Sequence, residues 1–254
     1  MVLSRTDRLR PFPMGVSIGH CNITAGTAGC VVVDPQGNEY ILSNNHVLAD
    51  SNKGKTGDAI LQPGVYDGGT IDDAVASLYN YVPIEFPENS GCLIAKGIVS
   101  FLNFVSRALG RKSRFYSKVD EYPVNETDCA IAKPTNPQIY TCEVMELGFP
   151  KGSAKAKDGE TVLKSGRTTG LTEGKVIDDD ATIEVSYEFL TARFIHQILV
   201  SGEGFILGGD SGSVLFNEDL YAVGLCFAGS SDGSLGIANP IYVVEQLLGV
   251  AVKT

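Results

Sequence analysis

The sequence predicts an all-β protein: two six-stranded antiparallel β-barrels packed side by side, with one inserted helix and a second helix at the C-terminal end. Three observations carry that prediction. From residue 14 onward, short runs rich in Val, Ile, Tyr and Phe follow one another, each closed by Gly, Asn, Asp or Pro. The runs fall into two sets of about six. No regular alternation of strand and crossover helix appears, which argues against βαβ units.

The first set reads MGVSI, GCVVVD, EYILS, DAILQ, AVASLYNYV and DCAIA, and places one barrel at about residues 14–135. The second reads ETVLKSG, GLTEGKVI, ATIEVSYE, RFIHQILV, SGSVLF, YAVGLCFA and LGIANPI, and places the other at about 155–240. An interbarrel linker runs from Pro134 to about Gly159, and the whole chain, 1–254, reads as one domain. A helical insertion interrupts the first barrel at about 90–115. Within it, residues 92–110 (CLIAKGIVSFLNFVSRALG) place Leu93, Ile94, Ile98, Phe101, Leu102, Val105 and Leu109 at helical spacing. Gly110 and the basic run Arg111, Lys112 and Arg114 end it. That helix is expected to pack on a barrel flank; the functional alternative is a lid or a docking face for a regulatory partner protein. Residues 240–254 form a C-terminal helix and tail, PIYVVEQLL being the amphipathic part that covers a barrel end.

Thirty acids against twenty bases give a net charge of −10, which disfavours nucleic acid and anionic membranes as partners. Residues 1–15 carry Arg5, Asp7, Arg8 and Arg10 with no apolar run behind them, unlike a secretory signal. The six cysteines (Cys21, Cys30, Cys92, Cys129, Cys142 and Cys226) include no CxxC pair, and four sit in apolar contexts. They read as reduced thiols in a cytoplasmic protein, with neither metal nor cofactor implied.

Three stretches at strand edges carry chemistry. One is ILSNNHVLA, where a strand runs into His46. The second is TDCAIA, where Asp128 opens an apolar strand. The third is GGDSGS (208–213), where Ser211 sits in a glycine turn between FIL and VLF. A serine hydroxyl is a poor nucleophile until an imidazole accepts its proton, and the imidazole needs a buried carboxylate to hold its tautomer. His46, Asp128 and Ser211 supply that set. Their order, and Ser213 in place of a glycine, distinguish the turn from a G-x-S-x-G elbow. Converging amides of Gly209 and Ser211 would form an oxyanion hole. Asp73, in IDDAVASL, is the rival acid. The residues alone leave both open. His20 and His196 read as structural histidines.

Taken together, GDSGS (209–213), NNHVLA (44–49) and DCAIA (128–132) resemble the chymotrypsin/trypsin-like serine proteases over about residues 14–248. Within that superfamily the chain is similar to leaderless bacterial and plant members that share KSGRTTGLTEG (164–174) and ANPI (238–241). The resemblance implies two chymotrypsin-like barrels, and a serine endopeptidase acting on protein or peptide through an acyl-enzyme. It favours Asp128 over Asp73, since it implies an acid at the start of the last strand before the linker. It places the substrate pocket at Phe205, Ile206, Cys226, Phe227 and Ala228, where no carboxylate would meet a basic P1 side chain. A small or apolar P1 is therefore expected, and Phe227 and Ala228 offer backbone for strand addition. Two departures stand out. There is no Ile-Val-Gly-Gly-like new N-terminus to pair with Asp210, and Val47 follows His46, so the disulfide that usually buttresses this turn is absent. Other readings of the same residues are a catalytically silent or activator-dependent double barrel that binds peptide or protein, and an esterase.

Overall fold

The β-branched and aromatic runs form strands because their alternating side chains bury against one another in two curled sheets. The computed structural model describes residues 4–87, 123–187 and 190–254. In the first barrel lie β1 (Phe12–Met14), β2 (Ser17–His20), β3 (Gly26–Thr27), β4 (Cys30–Val33) and β5 (Glu39–Ser43). The one-turn helix α1 (Asn45–Leu48) follows, then β6 (Ala59–Leu61), β7 (Ala74–Tyr81), β8 (Val124–Asn125), which joins the second sheet, and β9 (Ala130–Pro134); β10 (Tyr140–Val144) pairs with β1 in a separate two-stranded sheet. The second barrel contains β11 (Thr161–Gly166), β12 (Gly170–Tyr187), β13 (Leu190–Ser201), β14 (Val214–Asn217), β15 (Ala222–Gly229) and β16 (Leu235–Pro240). Helix α2 (Ile241–Leu248) and β17 (Ala251–Val252) follow.

The first sheet has eight strands in the order β17-β4-β5-β9-β7-β6-β2-β3, and the second has seven in the order β12-β11-β14-β15-β16-β13-β8, closed by β12 pairing with β13. Without the short edge strands β3 and β17, and without β8, which joins β13 in parallel, six strands remain in each, as expected. Ile18, Val31, Ile41, Leu42, Ile60, Val75 and Ile131 fill the first barrel, and Val162, Val176, Ile198, Val200 and Phe205 the second. Fully burying each such side chain is worth about 1.5–3 kcal/mol.

Four features differ from expectation or lie beyond it. The two runs expected as GLTEGKVI and ATIEVSYE fall, up to Tyr187, in one 18-residue strand, β12. The acidic triplet Asp178-Asp179-Asp180 between them has the composition of a turn, but it bends the strand through register shifts against β13 between Val176 and Ile183. The linker contains β10, which pairs in parallel with β1. The tail beyond α2 becomes β17, which returns to pair with β4 of the first barrel. The expected helix at 92–110 lies outside the described residues. Helix α2 forms where PIYVVEQLL placed it, with Ile241, Val244 and Leu248 buried. No helix among the described residues is long and apolar enough to cross a membrane.

Candidate active site

His46 is carried on α1, whose Asn44 N-cap ends β5 and leaves the first helical amides without partners inside the helix. Asp128 uses one of them: its Oδ1 accepts from the His46 backbone N–H at 3.2 Å, while its Oδ2 accepts from the ring at Nδ1, 2.5 Å away. A carboxylate at a helix N-terminus also gains from the local dipole. Asp128 is completely buried and the His46 side chain is 23% exposed, so the ring reaches from the core to the surface. The Asp128 peptide is pinned in turn. Its N–H donates to Asn239 Oδ1 at 3.0 Å, and its carbonyl accepts from Asn44 Nδ2 at 2.8 Å and Asn239 Nδ2 at 3.2 Å. With Asp128 on Nδ1, that nitrogen carries the proton and Nε2 is left as the base.

A third donor, missed in the sequence, completes the carboxylate shell. Tyr187, the last residue of β12, donates its hydroxyl to Asp128 Oδ2 at 2.8 Å. Burial and the adjacent carboxylate hold its phenol well above the ordinary tyrosine value, so it stays a donor.

Ser211 lies at the turn between Gly209 and Gly212, which adopt φ of +97° and +96°. A Cβ at Gly209 would stand 2.5 Å from Arg167 Nη1 and Thr168 Oγ1, and one at Gly212 would stand 2.2 Å from the Thr27 carbonyl. The glycines are therefore required by handedness and by the closeness of neighbouring chain. Among the described residues, no acceptor meets the amide of Gly209 or of Ser211. The Ser211 hydroxyl donates to the Phe227 carbonyl at 3.3 Å, and no hydrogen bond joins it to His46 among the described residues. His46 and Ser211 nevertheless face one cleft of about 500 Å³.

Four residues outside the expected set of His46, Asp128 and Ser211 fix this turn: Asp210, Lys164, Thr27 and Arg167. Asp210 and Lys164 are both completely buried, with Lys164 Nζ 3.5 Å from Asp210 Oδ2. The Asp210 carboxylate also accepts from the Thr168 and Thr169 amides at 2.8 and 3.1 Å, from Thr169 Oγ1 at 2.8 Å and from the Leu207 amide at 2.9 Å. Burial pulls the Lys164 amine below its ordinary value, and Asp210 pulls it back up. An internal amine thus lies against the Asp210 carboxylate. Thr27 on β3 donates through its N–H to the Ser211 carbonyl at 2.7 Å and through Oγ1 to the Gly209 carbonyl at 2.9 Å. Arg167, whose amide donates to Thr27 Oγ1 at 3.0 Å, forms a forked ion pair with Asp67 of the first barrel, the Arg167 Nε–Asp67 Oδ2 bond measuring 2.6 Å. Lys164 and Arg167 both lie in KSGRTTG, so that stretch held the signal.

The cleft takes its walls from Glu184, Val185 and Tyr187 on β12, from Ile206 to Gly208, and from Phe227 to Ser231. Of the expected pocket residues, Ile206, Phe227 and Ala228 line it. Phe205 and Cys226 do not: both are fully buried in the second core, Phe205 beneath Gly174 and Gly236. The strand alternation that points Phe227 toward the cleft turns Cys226 inward. Asp73 stands apart, its carboxylate capping the turn at Thr70 and accepting from Arg8 Nε at 2.7 Å. His20 is buried against Asp58 at 3.0 Å, and His196 faces Asp180 on the surface at 2.5 Å. The five described cysteines (Cys21, Cys30, Cys129, Cys142 and Cys226) are free thiols. Burial pushes Cys129 and Cys226 up to about 12, which makes them inert.

No family model matches the sequence, and no curated protein does. The fold has clear counterparts among solved structures. Thermobifida fusca protease A superposes with a TM-score of 0.60 at 17% identity, covering 96% of this chain and 98% of its own. A glutamic acid-specific serine protease, described as using a histidine triad in substrate binding, gives 0.61 at 18%, covering 95% and 100%. Cellulomonas bogoriensis chymotrypsin gives 0.57 at 16%, covering 96% and 100%. These neighbours are serine proteases of the chymotrypsin/trypsin type, and this chain shares their double-barrel fold.

Proposed function

We propose that this double barrel is a serine endopeptidase, with Ser211 as nucleophile, His46 as general base and acid, and Asp128 as the buried brace. The observation that carries it is the His46–Asp128 pair, built across 82 residues of chain and opening on the cleft that Ser211 faces. A turn of the Ser211 hydroxyl from the Phe227 carbonyl toward His46 Nε2 prepares the attack, as catalytic hydrogen bonds often close only with substrate present. Ser211 Oγ then adds to the scissile carbonyl carbon while its proton passes to His46 Nε2. The oxyanion lies between the Gly209 and Ser211 amides. Collapse breaks the C–N bond as His46 protonates the leaving amine, and water repeats the sequence on the ester.

Ile206, Leu207, Ala228 and Ile237 give the cleft an apolar character that suits a small or apolar P1 side chain. Among the described residues lining the cleft, a basic one would find a single carboxylate, Glu184, which already pairs with Arg193 at 2.9 Å. His46 is the single histidine among the described residues lining the cleft, unlike the histidine-rich recognition described for the glutamic acid-specific neighbour. Five free thiols fit a reducing, cytoplasmic setting. Incubating the protein with casein and a peptide library, then sequencing the new termini, tests both points. Cleavage after small or apolar residues by wild type, abolished in Ser211→Ala, is the expected result. No cleavage by either protein would leave a binding module.

A further inference from the structure

We propose that Tyr187 is a positioning residue of this site. Its phenol, carried at the end of the β12–β13 hairpin, holds the Asp128 carboxylate in the orientation that meets His46, so one wall of the substrate cleft also sets the acid–imidazole alignment. The inference rests on the peptidase reading above for its kinetic consequences, and on geometry alone for the alignment itself.

The carboxylate of Asp128 is wholly enclosed, and its three donors come from two elements: the His46 amide on Oδ1 and the His46 ring on Oδ2, both from α1, and the Tyr187 hydroxyl from β12, also on Oδ2. Two donors sharing one oxygen fix its lone-pair directions, and charge-assisted bonds of this kind are the strong ones. The titratable groups facing the carboxyl are His46 from α1, Tyr187 from β12 and the neighbouring Cys129 thiol; Asn44 and Asn239 meet only its peptide.

The hydroxyl is placed by the ring, and the ring is boxed in. It meets the His46 ring edge-on at 5.9 Å, Phe86 edge-on at 5.6 Å and Phe194 of β13 at 6.2 Å. Phe86 and Phe194 belong to a small apolar cluster with Ile84, Ala192 and Phe227, separate from either barrel core, which anchors the hairpin over the acid. The same stretch, from Glu184 to Tyr187, lines the cleft. A peptide seated against it therefore presses on the element that carries the phenol.

Tyr187→Phe keeps the packed ring and removes only the donor. Its kcat is expected to fall roughly tenfold with KM unchanged, and fluorophosphonate labelling to slow in parallel. The resonance of the proton in the His46–Asp128 bond should move downfield in the NMR spectrum relative to wild type, because the carboxylate oxygen no longer shares its charge with a phenol. Substituting 3,5-difluorotyrosine at 187, a near-isosteric and stronger donor, should move that proton the opposite way and rules out misfolding as the cause. An unmoved resonance and an unchanged kcat in a variant with wild-type melting temperature would overturn the proposal. Absence of labelling in the wild type would instead sink the peptidase reading, and the two resonance shifts would still decide the role of Tyr187.

Discussion

His46 Nδ1 and Asp128 Oδ2 stand 2.5 Å apart, one on the helical turn that ends β5 and the other on the loop that opens β9. β5 and β9 are neighbours in the first sheet, with Ser43 opposite Ala130, so two strand ends at one barrel edge deliver both side chains. Their separation in sequence is large, yet their register makes them adjacent.

Asp128→Asn should leave the fold in place, because Asn44 and Asn239 hold the peptide rather than the side chain. The ring loses its tautomer control. A fall in kcat of about 10⁴ is expected, with a nearly unchanged melting temperature. Peptide hydrolysis and thermal unfolding of the same preparation measure the two.

The Asp67–Arg167 clamp gives stability an acid dependence. Both side chains are nearly enclosed, at 7% and 10% exposed. Burial alone would raise the Asp67 carboxyl, but the bonds from Arg167 and Ser17 outweigh it and hold the group below its ordinary value. Because the folded value lies below the unfolded one, the clamp contributes fully above about pH 4 and is lost as pH falls through the folded value. Urea unfolding from pH 7 to pH 3 should show a steeper acid loss for wild type than for Asp67→Asn. At pH 7 the variant should be less stable by about 3 kcal/mol.

Lys164→Met should leave Asp210 a buried carboxylate with neutral donors only, costing about 3 kcal/mol or more. The turn that bears Ser211 is built on that carboxylate, so labelling of Ser211 should slow even where the protein remains folded. Denaturant unfolding and labelling rate, taken together, check both effects.

Gly212→Ala and Gly209→Ala should separate stability from chemistry. At Gly212 the new methyl would meet the rigid Thr27 carbonyl and the Ser43 hydroxyl in a left-handed conformation, so a loss above about 2 kcal/mol is expected. At Gly209, equally left-handed, the obstruction comes from the side-chain ends Arg167 Nη1, which the Asp67 fork does not use, and Thr168 Oγ1, rather than from backbone. A smaller loss of stability is expected there, with a larger loss of kcat because the Gly209 amide is displaced. Melting temperatures and turnover numbers of the pair provide the comparison.

Local pattern accounts for what the sequence made legible. Short β-rich runs closed by Gly, Asn, Asp or Pro marked the strands of both barrels, and PIYVVEQLL marked α2, because each is a local signal. His46, Asp128 and the glycine turn could be picked out because each sits where a strand ends. The groups brought in by long-range packing escaped: Tyr187 looks like any strand tyrosine until the β12–β13 hairpin lays it over Asp128. Phe205 and Cys226 were misplaced because sequence distance from Ser211 does not say which face of a strand a side chain takes. The acidic triplet 178–180 read as a turn because composition does not distinguish a reversal from a bulge.

The most direct test of the central claim is mass spectrometry of the protein after exposure to a fluorophosphonate. The account predicts one adduct, mapped to Ser211, absent in Ser211→Ala and strongly slowed in His46→Ala. An intact, folded wild type that stays unmodified, or one that reacts equally without His46, would contradict it.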